Sequence, residues 1–134
     1  MSGTKKLRFV LGDQLNLSHS WFTEIDKQTL YLMVEMRQET DYVTHHIQKI
    51  VGFFAAMREF ASAVKAKGHQ VIYINIDQAE AKEDLGKLIQ AHIKSHEIDL
   101  FEYQEPDEYR LDLQFQSICK ELDIPTKTYS TEHF

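Results

Sequence analysis

The sequence predicts an α/β protein with an open, parallel, five-stranded sheet and helices on both faces. Short apolar runs of β-prone residues alternate along the chain with longer segments whose apolar residues recur at helical spacing. This alternation is typical of Rossmann-like sheets with right-handed crossovers. With 134 residues, of which 43% are hydrophobic and 27% charged, the chain is large enough for one core, so we expect a single domain over residues 1–134.

Five segments are predicted to be strands. The first begins at Lys6 and is stopped by Gly12, as expected of a buried strand followed by a tight turn. The second has no polar alternation after Thr29, which favours burial on both faces of a parallel sheet. The predicted strands cover residues 6–11, 29–34, 71–76, 98–103 and 124–129.

Three helices are predicted between these strands. The longest begins near Thr40 and ends before Gly68, with Lys65 and Lys67 at the end where the helix dipole favours cations. The second follows the third strand, and the third opens at Pro106. Their apolar faces contain Val43, Ile47, Ile50, Phe54, Met57, Ala61 and Val64 in the first helix, Leu85, Leu88, Ile89 and Ile93 in the second, and Leu111, Phe115, Ile118 and Leu122 in the third.

Charge and cysteine content exclude several functions for this chain on its own. The formal net charge is -6 and the charges are scattered, which disfavours strong DNA binding by this chain. A single cysteine, Cys119, excludes an intramolecular disulfide and a four-cysteine iron–sulfur cluster, and its predicted role is an inert core thiol. With neither a membrane-spanning run nor a signal peptide in the sequence, we expect a cytoplasmic protein that does not bind membranes.

Polar and mainly acidic residues follow the predicted strands, at the edge where open α/β sheets bind ligands. Walker loops and three-glycine dinucleotide fingerprints are absent from the sequence, which disfavours a bare triphosphate or a dinucleotide. Carboxylates and amides suit a ligand rich in hydroxyl and N–H groups, or a divalent cation; the alternative is that they cap helices and solvate loops. The residues are Gly12, Asp13 and Gln14, then Glu35, Met36 and Glu39, then Asp77, and finally Gln104 and Glu105.

Aromatic and histidine residues near this edge allow more than one interpretation. Tyr42 lies three residues after Glu39, so an aromatic ligand could stack there, with ordinary packing as the alternative. His45 and His46 are adjacent, and their side chains would point about 100° apart on a helix, which disfavours a shared metal ion. The pair at 21–22, Trp and Phe, is predicted to pin the first connection onto the body or, alternatively, to belong to an interface.

Five blocks of sequence, in order, resemble the N-terminal region of the deoxyribodipyrimidine photolyase-related proteins, the bacterial photolyases and cryptochromes with an iron–sulfur cluster. The similarity extends over essentially the whole chain, to residues 131–134. The blocks are LGDQL at 11–15, EMRQETDYVTHH at 35–46, KI at 49–50, FAAMR at 54–58 and QEPDEYR at 104–110.

The resemblance implies a domain that binds an antenna chromophore, dimethyl-ribityllumazine. Family members look like two-part proteins, whose larger helical part carries FAD, a [4Fe–4S] cluster and the DNA lesion site, and that part is missing here. The full-length parent is expected to use light for repair of six-four photoproducts in DNA or for blue-light signalling. This chain alone should not be catalytic, should meet DNA only through the full-length protein, and could self-associate through surfaces that the missing domain covers.

The antenna site that the resemblance implies surrounds the ends of the first two strands. Glu39 is the leading candidate, because its carboxylate could accept hydrogen bonds from the lumazine ring or its ribityl chain. Tyr42 and Phe53 would supply flat apolar walls. The role requires binding rather than acid–base chemistry. The predicted site residues are Gly12, Asp13, Gln14, Val34, Glu35, Met36, Glu39, Tyr42, Phe53 and Glu105.

Two alternatives to an antenna domain remain open from the sequence. In one, Asp13, Glu35 and Asp77 hold Mg²⁺ for phosphoryl transfer or hydrolysis. In the other, the chain is a structural domain that docks on the helical part and has lost its ligand. The first alternative predicts metal-dependent activity, and the second predicts no affinity for a chromophore.

Overall fold

The computed structural model describes residues 4–36, 47–78, 84–106 and 109–130, and the side chains of residues 47–50 are not described. In this part of the chain, five parallel strands form one sheet with the order β3-β2-β1-β4-β5, which confirms the predicted open α/β architecture. The elements are β1 (Lys6–Phe9), a 3₁₀ turn (Ser20–Phe22), β2 (Thr29–Val34), α1 (Ile47–Ala66), β3 (Gln70–Ile74), α2 (Leu85–Ser95), β4 (Leu100–Gln104), α3 (Tyr109–Glu121) and β5 (Thr126–Tyr129).

Strand β1 is the centre of the sheet. Leu7 is in register with Leu30 of β2 on one side and with Phe101 of β4 on the other. The chain moves outward from β1 through β2 to β3 and then returns to place β4 on the other side of β1. The strand order therefore reverses between β1 and β4, and in open α/β sheets this reversal marks the crevice where ligands bind.

Local signals in the sequence set the ends of the helices. Gly68 follows α1 with a φ of 110°, a conformation that only glycine adopts easily, and its amide donates to the carbonyl of Lys65. Asp84 caps α2 by accepting a hydrogen bond from the Lys87 amide at 3.2 Å. These features confirm the predicted end of the longest helix; its predicted start near Thr40 lies outside the described residues.

Two apolar layers cover the two faces of the sheet. On one face, Leu7 and Phe9 of β1 pack with residues of α2 and α3, including the fully buried Ile89 and Phe115. Because side chains alternate along a strand, Val10, Tyr31 and Met33 point to the opposite face. There they pack with Trp21, Phe22, Phe54, Met57, Phe60, Ala61 and Val64. The predicted burial of the apolar face of α1 is confirmed for its described side chains.

A buried polar group interrupts the second layer, and the sequence analysis did not predict it. Arg8 Nε donates to Glu102 Oε1 at 2.8 Å, and Tyr129 donates to Glu102 Oε2 at 2.7 Å. Arg8 also donates to the Tyr31 hydroxyl at 2.9 Å, and its guanidinium lies 4.9 Å from the ring centre of Trp21. We call these five residues the Glu102 cluster. The burial of Trp21 confirms that this residue pins the first connection onto the sheet.

None of the helices in the described ranges is both long enough and apolar enough to span a lipid bilayer.

Candidate functional site

A tight turn follows β1 at the edge where the strand order reverses. The amide of Gln14 donates to the carbonyl of Leu11 at 3.0 Å, which places Gly12 and Asp13 at the tip of the turn. The side chain of Gln14 folds back on the same turn, because its Oε1 accepts a hydrogen bond from the Leu11 amide at 3.1 Å. The turn is therefore held by both the backbone and the side chain of Gln14, and only Asp13 of these residues is exposed.

Gln14 also links β1 to β4 across the point of reversal. Its Nε2 donates to the carbonyl of Gln104 at 3.2 Å and to that of Glu105 at 3.4 Å. The side chain of Gln104 is 2% exposed, and its Nε2 is buried with no hydrogen-bond partner among the residues that the structure describes. A buried N–H group without a partner is costly, so this nitrogen is suited to donate to a ligand or a water molecule.

Helix α1 packs directly against the backbone of Gly12. A methyl group at this position would lie 2.5 Å from Phe53 Cζ, 2.6 Å from Phe53 Cε1 and 2.9 Å from Met57 Sδ. Such distances are too short for carbon and sulfur atoms, so only glycine allows α1 to come this close. Gly12 and Phe53 were both predicted site residues, and the structure brings them into contact.

Glu35 lies directly after β2, and internal groups occupy both of its carboxylate oxygens. Arg58 of α1 donates to it twice, through Nε at 2.6 Å and Nη2 at 2.9 Å. Tyr73 of β3 donates its hydroxyl at 2.5 Å, and the Ile76 amide donates at 2.9 Å. The Glu35 side chain is fully buried, whereas that of Arg58 is 55% exposed. We call these four residues the Glu35 cluster; it ties the ends of β2 and β3 to α1.

Contacts within the Glu35 cluster shift the pKa values of Glu35 and Tyr73. Burial alone raises the pKa of Glu35, but the hydrogen bonds from Arg58, Tyr73 and the Ile76 amide outweigh it, and the net pKa shift is downward. The pKa of Tyr73 is raised, first by burial and then by its hydrogen bond to the Glu35 carboxylate. At neutral pH the cluster therefore contains a carboxylate, a guanidinium and a neutral phenol.

The other predicted site residues have different positions. Val34 and Met36 are buried in the apolar layer under α2 and α3. Glu105 is exposed, and its amide donates to the carbonyl of Tyr129 at 2.7 Å. The remaining two, Glu39 and Tyr42, lie outside the described residues, as do the adjacent histidines at 45–46.

The described residues at this edge give little support to metal binding or to nucleophilic catalysis. Within the described ranges, no group of three or more His, Cys, Asp or Glu residues could hold a metal ion. In particular, the oxygens of Glu35 are occupied by donors from the protein. Cys119 is half-buried on α3, and burial raises the pKa of its thiol, which agrees with the predicted inert role.

Three side chains at this edge were not predicted as site residues. Arg58 and Met57 belong to a block that carries the family resemblance, but nothing in their spacing indicated a partner. Tyr73 lies in a strand and resembles an ordinary core aromatic residue. A weak signal was present for Arg58, because a charged residue next to the buried Met57 requires a nearby acid or an exit to solvent.

The outer flank of α1 carries two shallow grooves of about 430 and 310 Å³ that share Arg58 and Ser62. The larger is lined by Val51 and Phe54 among others, and the smaller reaches Tyr73 of the edge strand. None of the predicted site residues that the structure describes lines either groove. The grooves are thus separate from the contact between Gly12 and Phe53.

Comparison with known proteins identifies the family. The family model described as deoxyribodipyrimidine photo-lyase-related protein matches residues 8–134. A curated relative, the (6-4) photolyase of Agrobacterium fabrum (strain C58 / ATCC 33970), is 40% identical over 76 residues. That alignment covers 56% of this chain and 15% of the relative, so the chain spans only a small part of the relative's length. On the match over residues 8–134, this chain belongs to the deoxyribodipyrimidine photo-lyase-related protein family.

Proposed function

We propose that this chain is an antenna domain that binds a ribityllumazine at the edge formed by Gly12, Phe53 and the end of β4. The observation that carries the proposal is the contact between the bare Gly12 backbone and the Phe53 ring. A flat, uncharged heterocycle fits a surface that offers one ring face and backbone without a side chain. Phe53 is only half-buried, so part of its ring is exposed at this edge and can stack on the ligand.

Polar groups at the edge fit the same ligand. A lumazine carries carbonyl oxygens, and the unpartnered Nε2 of Gln104 is a donor that such an oxygen can accept from. Gln104 follows Glu102 by two residues, so its side chain points to the face of the sheet that α1 covers. Glu39 would supply an acceptor for the ring or the ribityl hydroxyl groups.

The [4Fe–4S] cluster of the proposed parent does not fit this chain. Four cysteine thiolates hold such a cluster, and the sequence contains only Cys119. The cluster therefore belongs to the helical part of the proposed parent, where the family resemblance also places the FAD and the DNA lesion site. In this proposal the chromophore absorbs light and passes the excitation to the flavin, for repair of six-four photoproducts or for signalling in the cytoplasm.

A ligand-free docking domain is the competing function, and one observation favours it. Gln14 and Glu35 were predicted to face a ligand, yet their side chains are hydrogen-bonded within the domain. A domain that only docks on the helical part would use its polar edge in this way. The two functions differ in whether the isolated chain binds lumazine.

The test is a fluorescence and absorbance titration of the 134-residue chain with dimethyl-ribityllumazine, with riboflavin and FAD as comparison ligands. We expect saturable binding that is selective for lumazine. Glu39→Ala should weaken binding by about 1–3 kcal/mol, because a polar group of the ligand loses its partner. Glu24→Ala, which removes the same charge from an exposed position, is the control.

Two results would contradict the proposal. If the folded chain does not bind lumazine, the isolated chain is not a lumazine-binding domain, which favours the docking function. If lumazine, riboflavin and FAD bind with equal affinity, the edge is not a specific antenna site. Emission from Trp21, the single tryptophan of the chain, reports whether each variant is folded.

A further inference from the structure

The hydrogen bonds of the Glu35 cluster hold α1 on the sheet and leave neither oxygen of Glu35 for a ligand. We refer to this cluster as the anchor of α1. Two donors come from Arg58 of the helix, one from Tyr73 of β3 and one from the amide of Ile76. With four donors on two oxygens, the buried carboxylate of Glu35 is saturated. The negative charge of Glu35 therefore holds α1 in place through Arg58.

The anchor lies close to the Gly12 contact along the same helix. Arg58 follows Met57 directly and comes five residues after Phe53, a rise of about 7.5 Å along an α-helix. Since a helix moves as a rigid unit over this distance, the group that holds Arg58 also fixes Phe53 and Met57. There is no free space between Gly12 and Phe53, because a single methyl group on Gly12 would be 2.5 Å from the Phe53 ring.

We propose that Glu35, Arg58 and Tyr73 act as positioning residues that fix α1 on the ends of β2 and β3 and thereby hold the Phe53 ring against Gly12, at the edge where the chromophore binds. This inference rests on the proposed antenna function. Arg58 acts through the helix and does not touch the ligand. Its side chain is 55% exposed, so replacing it should leave no cavity in the core.

The experiment compares Arg58→Met, Arg58→Lys and Tyr73→Phe with the control Lys65→Met. The control removes a cation from an exposed position of the same helix. In the first measurement, each protein is titrated with dimethyl-ribityllumazine, and the induced circular dichroism of the bound chromophore is recorded. We expect Arg58→Met to weaken binding at least tenfold and to reduce the induced signal, with smaller effects for the other two variants and none for the control.

The second measurement needs no ligand. The Gly12 resonances in a proton–nitrogen NMR spectrum report the ring current of Phe53, so a shift of α1 changes them. We expect the Gly12 resonances to move in Arg58→Met and Tyr73→Phe and to stay in place in Lys65→Met. This readout separates the two proposals, since it is independent of whether wild-type protein binds lumazine.

Each outcome decides between the proposals. If Gly12 is unchanged in a folded Arg58→Met, the Glu35 cluster does not hold Phe53 in position and the inference is wrong. If Gly12 moves but lumazine affinity stays within twofold, the Glu35 cluster positions Phe53 without affecting the ligand, and the inference is also wrong. Absence of binding to wild type removes the antenna function itself. Should Arg58→Met fail to fold, the milder Arg58→Lys and Tyr73→Phe variants give the same decision.

Discussion

Two buried carboxylates in the described part of the chain have similar partners and different surroundings. Glu35 and Glu102 are each at most 1% exposed, and each binds one arginine and one tyrosine. The arginine of the Glu102 cluster is 13% exposed and lies on a neighbouring strand, whereas Arg58 is 55% exposed and lies on a helix. The first cluster therefore joins two central strands, and the second joins a helix to the edge of the sheet.

Because of this difference, we expect the loss of Arg8 to reduce the free energy of unfolding more than the loss of Arg58. Removal of Arg8 leaves a carboxylate inside the sheet without its cation, and water has little access to it. Removal of Arg58 leaves Glu35 with two donors, and the guanidinium that is lost was already largely in solvent. We therefore expect the Glu102 cluster to determine stability and the Glu35 cluster to determine the geometry of the ligand edge.

The largest expected effect is that of Arg8→Met. Breaking a buried ion pair by removing one partner costs about 3–5 kcal/mol, so the free energy of unfolding should fall by this amount. Urea unfolding followed by Trp21 emission measures it. Replacing both partners, with Arg8→Met and Glu102→Leu together, should recover part of the loss, because no uncompensated charge remains. A loss under 1 kcal/mol for Arg8→Met would remove the distinction between the clusters.

The next effect concerns the contact at Gly12. Gly12→Ala places a methyl group within 2.5 Å of the Phe53 ring, and overpacking of this kind costs about 1–3 kcal/mol. Phe53→Leu in the same chain should relieve most of that cost. Denaturant unfolding of the two single variants and the double variant forms a double-mutant cycle. Strictly additive effects would show that Phe53 does not lie on Gly12.

The smallest effect is a pH dependence that belongs to the Glu35 cluster. The pKa of Glu35 is below its ordinary value of 4.5, so its stabilising contribution is complete above that pH and is lost as the pH falls through the lower folded-state pKa. The difference in unfolding free energy between wild type and Arg58→Met should therefore shrink from pH 6 to pH 3. Thermal unfolding across this range measures it, and a constant difference would contradict the ion pair.

The sequence was sufficient to predict the sheet, its parallel strands and the apolar face of α1, because these follow from local periodicity. It overextended four strands: the fourth and fifth were predicted to begin at residues 98 and 124, but β4 begins at Leu100 and β5 at Thr126, and the third and first were predicted to end too late. The third was predicted to reach residue 76, but β3 ends at Ile74 because the amide of Ile76 turns to the Glu35 carboxylate. The first was predicted to reach residue 11, but β1 ends at Phe9 and a turn closed by Gln14 begins at Leu11.

The polar clusters could not be predicted in the same way. Arg8 and Glu102 are 94 residues apart, and only the placement of β4 beside β1 brings them together. Arg58 and Glu35 meet because α1 crosses the ends of β2 and β3. Charge pairing between such distant residues leaves no local pattern. For the candidate site, the resemblance identified Gly12 and Phe53, but their contact follows from the packing of α1.

The most direct test of the central claim is an assigned proton–nitrogen NMR titration of the chain with dimethyl-ribityllumazine. The account predicts shifts concentrated at Gly12, Asp13 and the amides of α1 around Phe53. The amides of Arg8 and Glu102 should stay in place, since their cluster is structural. Shifts centred on Arg8 and Glu102, with Gly12 unchanged, would contradict the assignment of the ligand edge.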